Sequence, residues 1–149
     1  MIVTFCGHAN CCLSNKEKTL LKNTLTKIIL ENDKSVFYLG GYGNFDGYCC
    51  QLLNELKKDY PKIEIVFVTP YVFENYYKLN NAKNYYDYTL YPPLENVPYK
   101  FAILKRNEWM VNEADLVIAY VMYSWGGAAK TLEYAKRKKK TIINLASTK

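Results

Sequence analysis

The sequence predicts an α/β fold, a three-layer sandwich with helices on both faces of a central parallel sheet of about five strands. Two observations carry this. Strand-like and helix-like segments alternate along the chain, and such alternation builds right-handed βαβ units. The central strand-like runs VFYL, IVFV and LVIAYV are apolar without alternation, as strands covered on both faces must be. The chain has 149 residues, a length that suits one core, so residues 1–149 are read as a single domain.

Ile2–Cys6 is a short β-rich run. Ser14 and Glu17 form a capping-box pattern ahead of Leu20, Leu21, Leu25, Ile28 and Ile29, whose spacing gives one apolar helical stripe. Ser35–Leu39 predicts a second strand. GGYGNFDG (Gly40–Gly47) breaks it, and Asp46 is read as the cap of a helix running to Tyr60, ended by Pro61. Ile63–Thr69 predicts a third strand. Pro70–Pro98 has no clear period and is crowded with Tyr and Asn. A segment of that length without structure is usually functional, so a lid or a partner surface is expected there. Tyr99–Glu113 predicts a helix, Asp115–Val121 a strand, Gly127–Lys138 a helix and Thr141–Leu145 a last strand.

No apolar run approaches the ~20 residues of a membrane span. MIVTFCGH lacks a basic start and a long apolar stretch, so it reads as a first strand rather than a signal peptide. A soluble, cytoplasmic protein without a membrane partner is expected. The five cysteines are odd in number, and Cys11–Cys12 and Cys49–Cys50 are directly adjacent. That pattern suits buried reduced thiols better than a disulfide framework. With one histidine and no C-x₂-C spacing, neither a metal nor a cofactor is expected. The formal net charge is +6, but much of the excess lies in Lys136–Lys140. Basic residues there complement a helix C-terminus, so nucleic acid is disfavoured as a partner and a smaller anion is preferred.

In a parallel sheet, ligands sit beyond the carboxyl ends of the strands. Three glycine-bearing turns follow strands here: CGH (Gly7, His8), LGGYGNFDG (Gly40, Gly41, Gly43, Asp46) and SWGGAAKTLE (Ser124, Trp125, Gly126, Gly127, Ala128, Lys130, Thr131, Glu133). Glycine lets a backbone approach a phosphate closely, and the helix that follows offers free N–H groups and a positive dipole. Neither G-x-G-x-x-G nor a kinase-type P-loop is present. Arg106 lies three and four positions from Ala102, Ile103, Trp109 and Met110, in the middle of an apolar helix face. A guanidinium there needs an anionic partner: a phosphate, Glu133 or Asp46. Glu133, one turn beyond Gly126-Gly127, is read either as a carboxylate serving a sugar or as an exposed acid pairing with Arg137.

At these residues the chain resembles the SLOG superfamily, which joins Lonely-guy-type proteins, the nucleotide-like domain of DprA and relatives of nucleoside deoxyribosyltransferases. RNEWMVNEAD (Arg106–Asp115) matches an R-x-x-x-M-x-x-x-x-D segment at every fixed position. WGGAAKTLEYA (Trp125–Ala135) is similar to the P-G-G-x-G-T-x-x-E loop that follows it, and LGGYGNFDG resembles the earlier glycine loop. The departures are Trp125 for the proline, Ala129 for the third glycine, Lys130 as an extra residue, Tyr134 for a second glutamate, and His8-Ala9 where an arginine is expected. The resemblance implies a Rossmann-like domain and a homodimer or higher homo-oligomer. It also implies a nucleotide-derived ligand (a nucleoside phosphate, an ADP-ribose-like molecule or a cyclic nucleotide signal) that is sensed or sequestered, in a phage or antiviral setting. A second implied reading is Lonely-guy-type N-glycosidase activity on nucleoside 5′-monophosphates, with Glu133 and Arg106 catalytic. A third is DprA-like binding of single-stranded nucleic acid. The departures leave ligand binding better supported than hydrolysis.

Overall fold

The computed structural model describes residues 1–71 and 84–148. Six parallel strands form one sheet in the order β4-β3-β2-β1-β5-β6. They are β1 (Ile2–Gly7), β2 (Val36–Leu39), β3 (Glu64–Val68), β4 (Tyr88–Leu90), β5 (Leu116–Tyr120) and β6 (Thr141–Asn144). The four α-helices among the described residues are α1 (Asn15–Glu31), α2 (Asn44–Lys57), α3 (Ala102–Glu113) and α4 (Gly127–Arg137). No helix among those residues is long and apolar enough to cross a membrane.

Side-chain parity along the strands sorts the helices into layers. Val3 and Phe5 of β1 point into a cluster with Leu21 and Leu25 of α1 and Phe45, Cys49 and Leu53 of α2. Cys6 and, from β5, Val117 and Ala119 point the other way, onto Val111 of α3 and Leu132 and Ala135 of α4. Among the described residues two helices therefore cover each face, the three-layer arrangement expected.

The capping box at α1 forms as read: Glu17 N–H donates to Ser14 Oγ at 3.2 Å, and Ser14 N–H donates to Glu17 Oε1 at 2.9 Å. Glu17 does a second job, accepting at 3.1 Å from the Tyr120 hydroxyl at the end of β5. This ties α1 to the edge where the strands end.

The sheet has six strands rather than about five. The extra one, β4, is only three residues long and pairs Val66 with Tyr88, Phe67 with Thr89 and Val68 with Leu90. It lies inside Pro70–Pro98, read from the sequence as lacking structure. A three-residue edge strand with two exposed positions leaves no apolar signature to detect. Residues 72–83 of the expected lid lie outside the described residues. Of the cysteines, Cys6, Cys49 and Cys50 are buried, but Cys11 is half-buried and Cys12 exposed, so the reading of uniformly buried thiols holds for three.

Candidate functional site

In the sheet β1 lies between β2, to which the chain runs directly through α1, and β5, which it reaches later through α3. A crevice therefore opens at the carboxyl ends of the strands where the order reverses. The three glycine turns meet there around a cavity of about 330 Å³.

Gly7 ends β1, and a Cβ there would come within 2.3 Å of the Phe45 ring. Glycine is therefore what lets α2 dock tightly against β1, and Asn44 N–H reaches Ala9 O at 2.8 Å. His8 is 4% exposed. Its Nε2 accepts from Met122 N–H at 2.9 Å, so the neutral ring carries its proton on Nδ1. Burial lowers its pKa and favours that neutral form. The imidazole stacks on Tyr123 at 3.7 Å between ring centroids, nearly parallel. Tyr123 in turn stacks on Trp125 at 4.3 Å, and Trp125 is 68% exposed at the cavity mouth. A three-ring column thus rises from the sheet to solvent.

Asp46 lies in the first turn of α2. It is not the cap: Gly43 occupies that position, without a side-chain cap bond. Instead the carboxylate turns back over the preceding loop, where Gly40 N–H donates to Oδ2 at 2.9 Å and the Gly41 and Tyr42 amides also favour its charged form. Burial pushes its pKa up to about 6, opposed by the Arg106 charge and by those amides.

Arg106 sits 4% exposed between the end of β2 and the end of β3. Its Nη1 donates to Gly40 O at 3.0 Å and Val68 O at 2.8 Å, and Nε donates to Asn107 Oδ1 at 2.9 Å. A Cβ on Gly40 would meet the guanidinium carbon at 3.0 Å, so the flat group lies against bare backbone. Of the three partners considered for Arg106, the structure supplies Asp46 as the charge it offsets.

At the β5–α4 connection, Gly126 enters the helix at φ 92° and ψ 174°. No side chain caps α4, and its first turn holds no acid. Gly126, Gly127, Ala128 and Thr131 line the cavity with Trp125. Gly41 and Gly43 do not. They border a separate hollow of about 590 Å³ along α2, beside Tyr85 and Tyr86. Ser124 and Lys130 are exposed and outside the cavity lining.

Glu133 lies apart from the cavity. It is exposed, bonds Lys136 at 3.3 Å, and does not line the cavity. Buried Ala129, Leu132 and Ala135 fix the phase of α4, which turns Glu133 to the outer face with Lys130 and Lys136. Its exposed partner is Lys136 rather than Arg137, which lies over the Tyr134 ring. The periodicity that carries this was already present in the sequence. Tyr123 and Asn107 were missed. Neither carried a periodic signal in the sequence that marked it for the site.

No protein-family model matches the chain. An uncharacterized SPbeta prophage-derived protein of Bacillus subtilis strain 168, YoqJ, is 27% identical over 139 residues, covering 82% of this chain and 81% of that protein. Among solved structures, DNA processing protein A (DprA) from Helicobacter pylori superposes with a TM-score of 0.66 at 18% identity over 95% of this chain. DprA from Streptococcus pneumoniae gives 0.67 at 17% over 94%. The molybdenum cofactor carrier protein of Chlamydomonas reinhardtii gives 0.57 at 11% over 95%, and 73% of its own length. The chain spans 63% and 48% of the two DprA chains. These likenesses show the fold, a Rossmann-like α/β sheet of the kind found in DprA and the carrier protein, in agreement with the SLOG resemblance of the motifs. They also overturn one expectation. The Helicobacter protein is described by its single-stranded DNA binding mode, so this fold gives no ground for setting nucleic acid aside as a partner.

Proposed function

We propose that the carboxyl-edge cavity seats one nucleotide unit of a single-stranded nucleic acid, its base on Trp125 and its phosphate at the N-terminus of α4. The observation that carries this reading is the adjacency of two complementary features. An exposed indole ends the His8–Tyr123–Trp125 column, and the next residue, Gly126, opens an uncapped helix. Aromatic faces hold unpaired bases without regard to sequence, at about 1–3 kcal/mol per base. Uncapped first-turn amides receive phosphate. The net charge of +6 adds general attraction, and the shared fold with DprA supports the same partner class.

Fluorescence anisotropy with labelled single-stranded DNA and RNA, titrated at several salt concentrations, tests it. The expected result is single-strand binding that weakens steadily as salt rises and exceeds binding to duplex. No binding of any single strand at low salt refutes it.

The cavity itself favours a second reading, a free nucleotide-derived ligand that is sensed or sequestered. Its volume of about 330 Å³ lies at the small end of small-molecule sites. The prophage origin of YoqJ fits a sequestering role. A thermal-shift panel of nucleoside phosphates, ADP-ribose and cyclic nucleotides separates the two. A ligand at a hundredfold its Kd adds ~2.7 kcal/mol of stability, and affinity that does not grow with oligonucleotide length favours this second reading. The glycosidase reading loses its carboxylate, because Glu133 lies outside the cavity.

A further inference from the structure

Two helices begin beside the cavity, each after a glycine of nearly the same backbone conformation. Gly43 precedes α2 at φ 90° and ψ 169°, and Gly126 precedes α4 at φ 92° and ψ 174°. Neither helix has a side-chain cap bond. The surroundings of the first entry are the more attractive to an anion. The Gly40 amide donates to the Asp46 carboxylate at 2.9 Å, the following amides of Gly41 and Tyr42 also favour its charged form, and the buried guanidinium of Arg106 stands beside the turn. Converging backbone amides next to a cation make an anion nest. In this chain the nest is already filled, by the carboxylate of Asp46. The first turn of α4 holds no acid at all.

We infer that Asp46 determines which phosphate pattern the cavity accepts: it acts as a built-in anion that bars phosphate from the β2–α2 turn and leaves α4 as the phosphate seat. The inference deepens the function proposed above and rests on that reading. A ligand then carries a single phosphate or phosphodiester at its α4 end and presents uncharged groups, such as sugar hydroxyls, to Asp46. A pyrophosphate spanning both helix entries is excluded, because its second phosphate meets a fixed negative charge. Among the described groups facing Asp46, Arg106 on α3 is the charged one. Cys6 on β1 has its thiol pushed up to about 12, Cys49 on α2 is pushed well above its ordinary value, and Tyr86 is pushed up as well. All three are neutral near pH 7. His8 at the end of β1 is held toward its neutral form.

The test is a backbone amide ¹H–¹⁵N NMR titration of the full chain with inorganic phosphate at pH 7.5, on wild type and on Asp46→Asn. In wild type the Gly127 and Ala128 amides shift, and those of Gly40, Gly41 and Tyr42 do not. In Asp46→Asn all five shift. A second arm needs no variant: sulfate, whose charge is constant, is titrated into wild type at pH 7.5 and at pH 5. The Gly40–Tyr42 amides respond only at pH 5, where Asp46 is protonated. Saturable shifts of those amides in wild type at pH 7.5 overturn the inference. So does their silence both in Asp46→Asn and at pH 5. Silence at Gly127 and Ala128 is a separate result: it removes the phosphate seat of the proposed function, while the part played by Asp46 is decided by Gly40–Tyr42 alone.

Discussion

Arg106→Met tests the electrostatics of the crevice most directly. The guanidinium bonds two carbonyl oxygens, of Gly40 and Val68, and offsets the buried Asp46 carboxylate. Methionine roughly keeps the volume of the aliphatic stem but removes the cation that favours the Asp46 carboxylate and leaves the carbonyl oxygens of Gly40 and Val68 without this donor. Unsatisfied buried groups cost about 1–3 kcal/mol each. For a chain of 149 residues, about 4 kcal/mol lowers Tm by roughly 8–16 °C. The pH dependence gives the sign. The folded pKa of Asp46 is about 6, above its ordinary 3.8. The fold therefore favours the protonated acid, and stability falls as pH rises through that interval. Without Arg106 that pKa rises further, so the deficit of Arg106→Met shrinks between pH 7.5 and pH 5. Adding Asp46→Asn recovers part of the loss at pH 7.5. Circular-dichroism melts of the four proteins at both pH values measure this. A Tm of Arg106→Met within about 3 °C of wild type at pH 7.5, or an equal deficit at both pH values with no recovery by Asp46→Asn, refutes the argument.

Three other variants probe the remaining parts. Trp125→Ala removes an indole that is 68% exposed, so stability stays within about 0.5 kcal/mol. Single-strand affinity by anisotropy falls about 5- to 150-fold, the loss of one stacked base, and an unchanged Kd removes the indole from the site. Glu133→Ala leaves both Tm and binding unaltered, since its exposed pair with Lys136 contributes at most about 1 kcal/mol. A tenfold loss of binding there returns the carboxylate to the site. Gly7→Ala places a Cβ 2.3 Å from the Phe45 ring and costs about 1–3 kcal/mol of overpacking. Phe45→Leu in the same chain recovers part of that in a denaturant melt, and equal stability of Gly7→Ala and wild type contradicts the close approach.

The layered sheet was readable because burial on both faces imposes apolar runs that no other environment tolerates, as in Leu116–Tyr120, buried at every position. The common edge of the three glycine turns followed from parallel strands alone. Arg106 was placed by helical spacing, and it is buried as that spacing required. What escaped depends on direction rather than on pattern. Asp46 was seen as a cap because an acid near a helix start usually bonds its own helix, yet its carboxylate folds back over the Gly40 turn, a choice set by Arg106 arriving from α3 some sixty positions away. Tyr123 lies in a connection without period, and only the folded chain brings its ring onto His8. Glu133 was read through its motif, whereas the small buried residues of α4 turn it outward.

The three-ring column has an optical consequence. The chain has two tryptophans, and they occupy unlike surroundings: Trp109 stacks on Tyr38 over a buried cluster that includes Met110, whereas Trp125 stands in solvent at the cavity mouth. Indole emission depends on the polarity around the ring and is quenched by a stacked nucleobase. Trp125 is thus an intrinsic fluorophore set at the point of contact, and Trp109 does not line the cavity. In Trp109→Phe the emission reports occupancy of the cavity alone, so partners can be screened on unlabelled protein by colour and intensity.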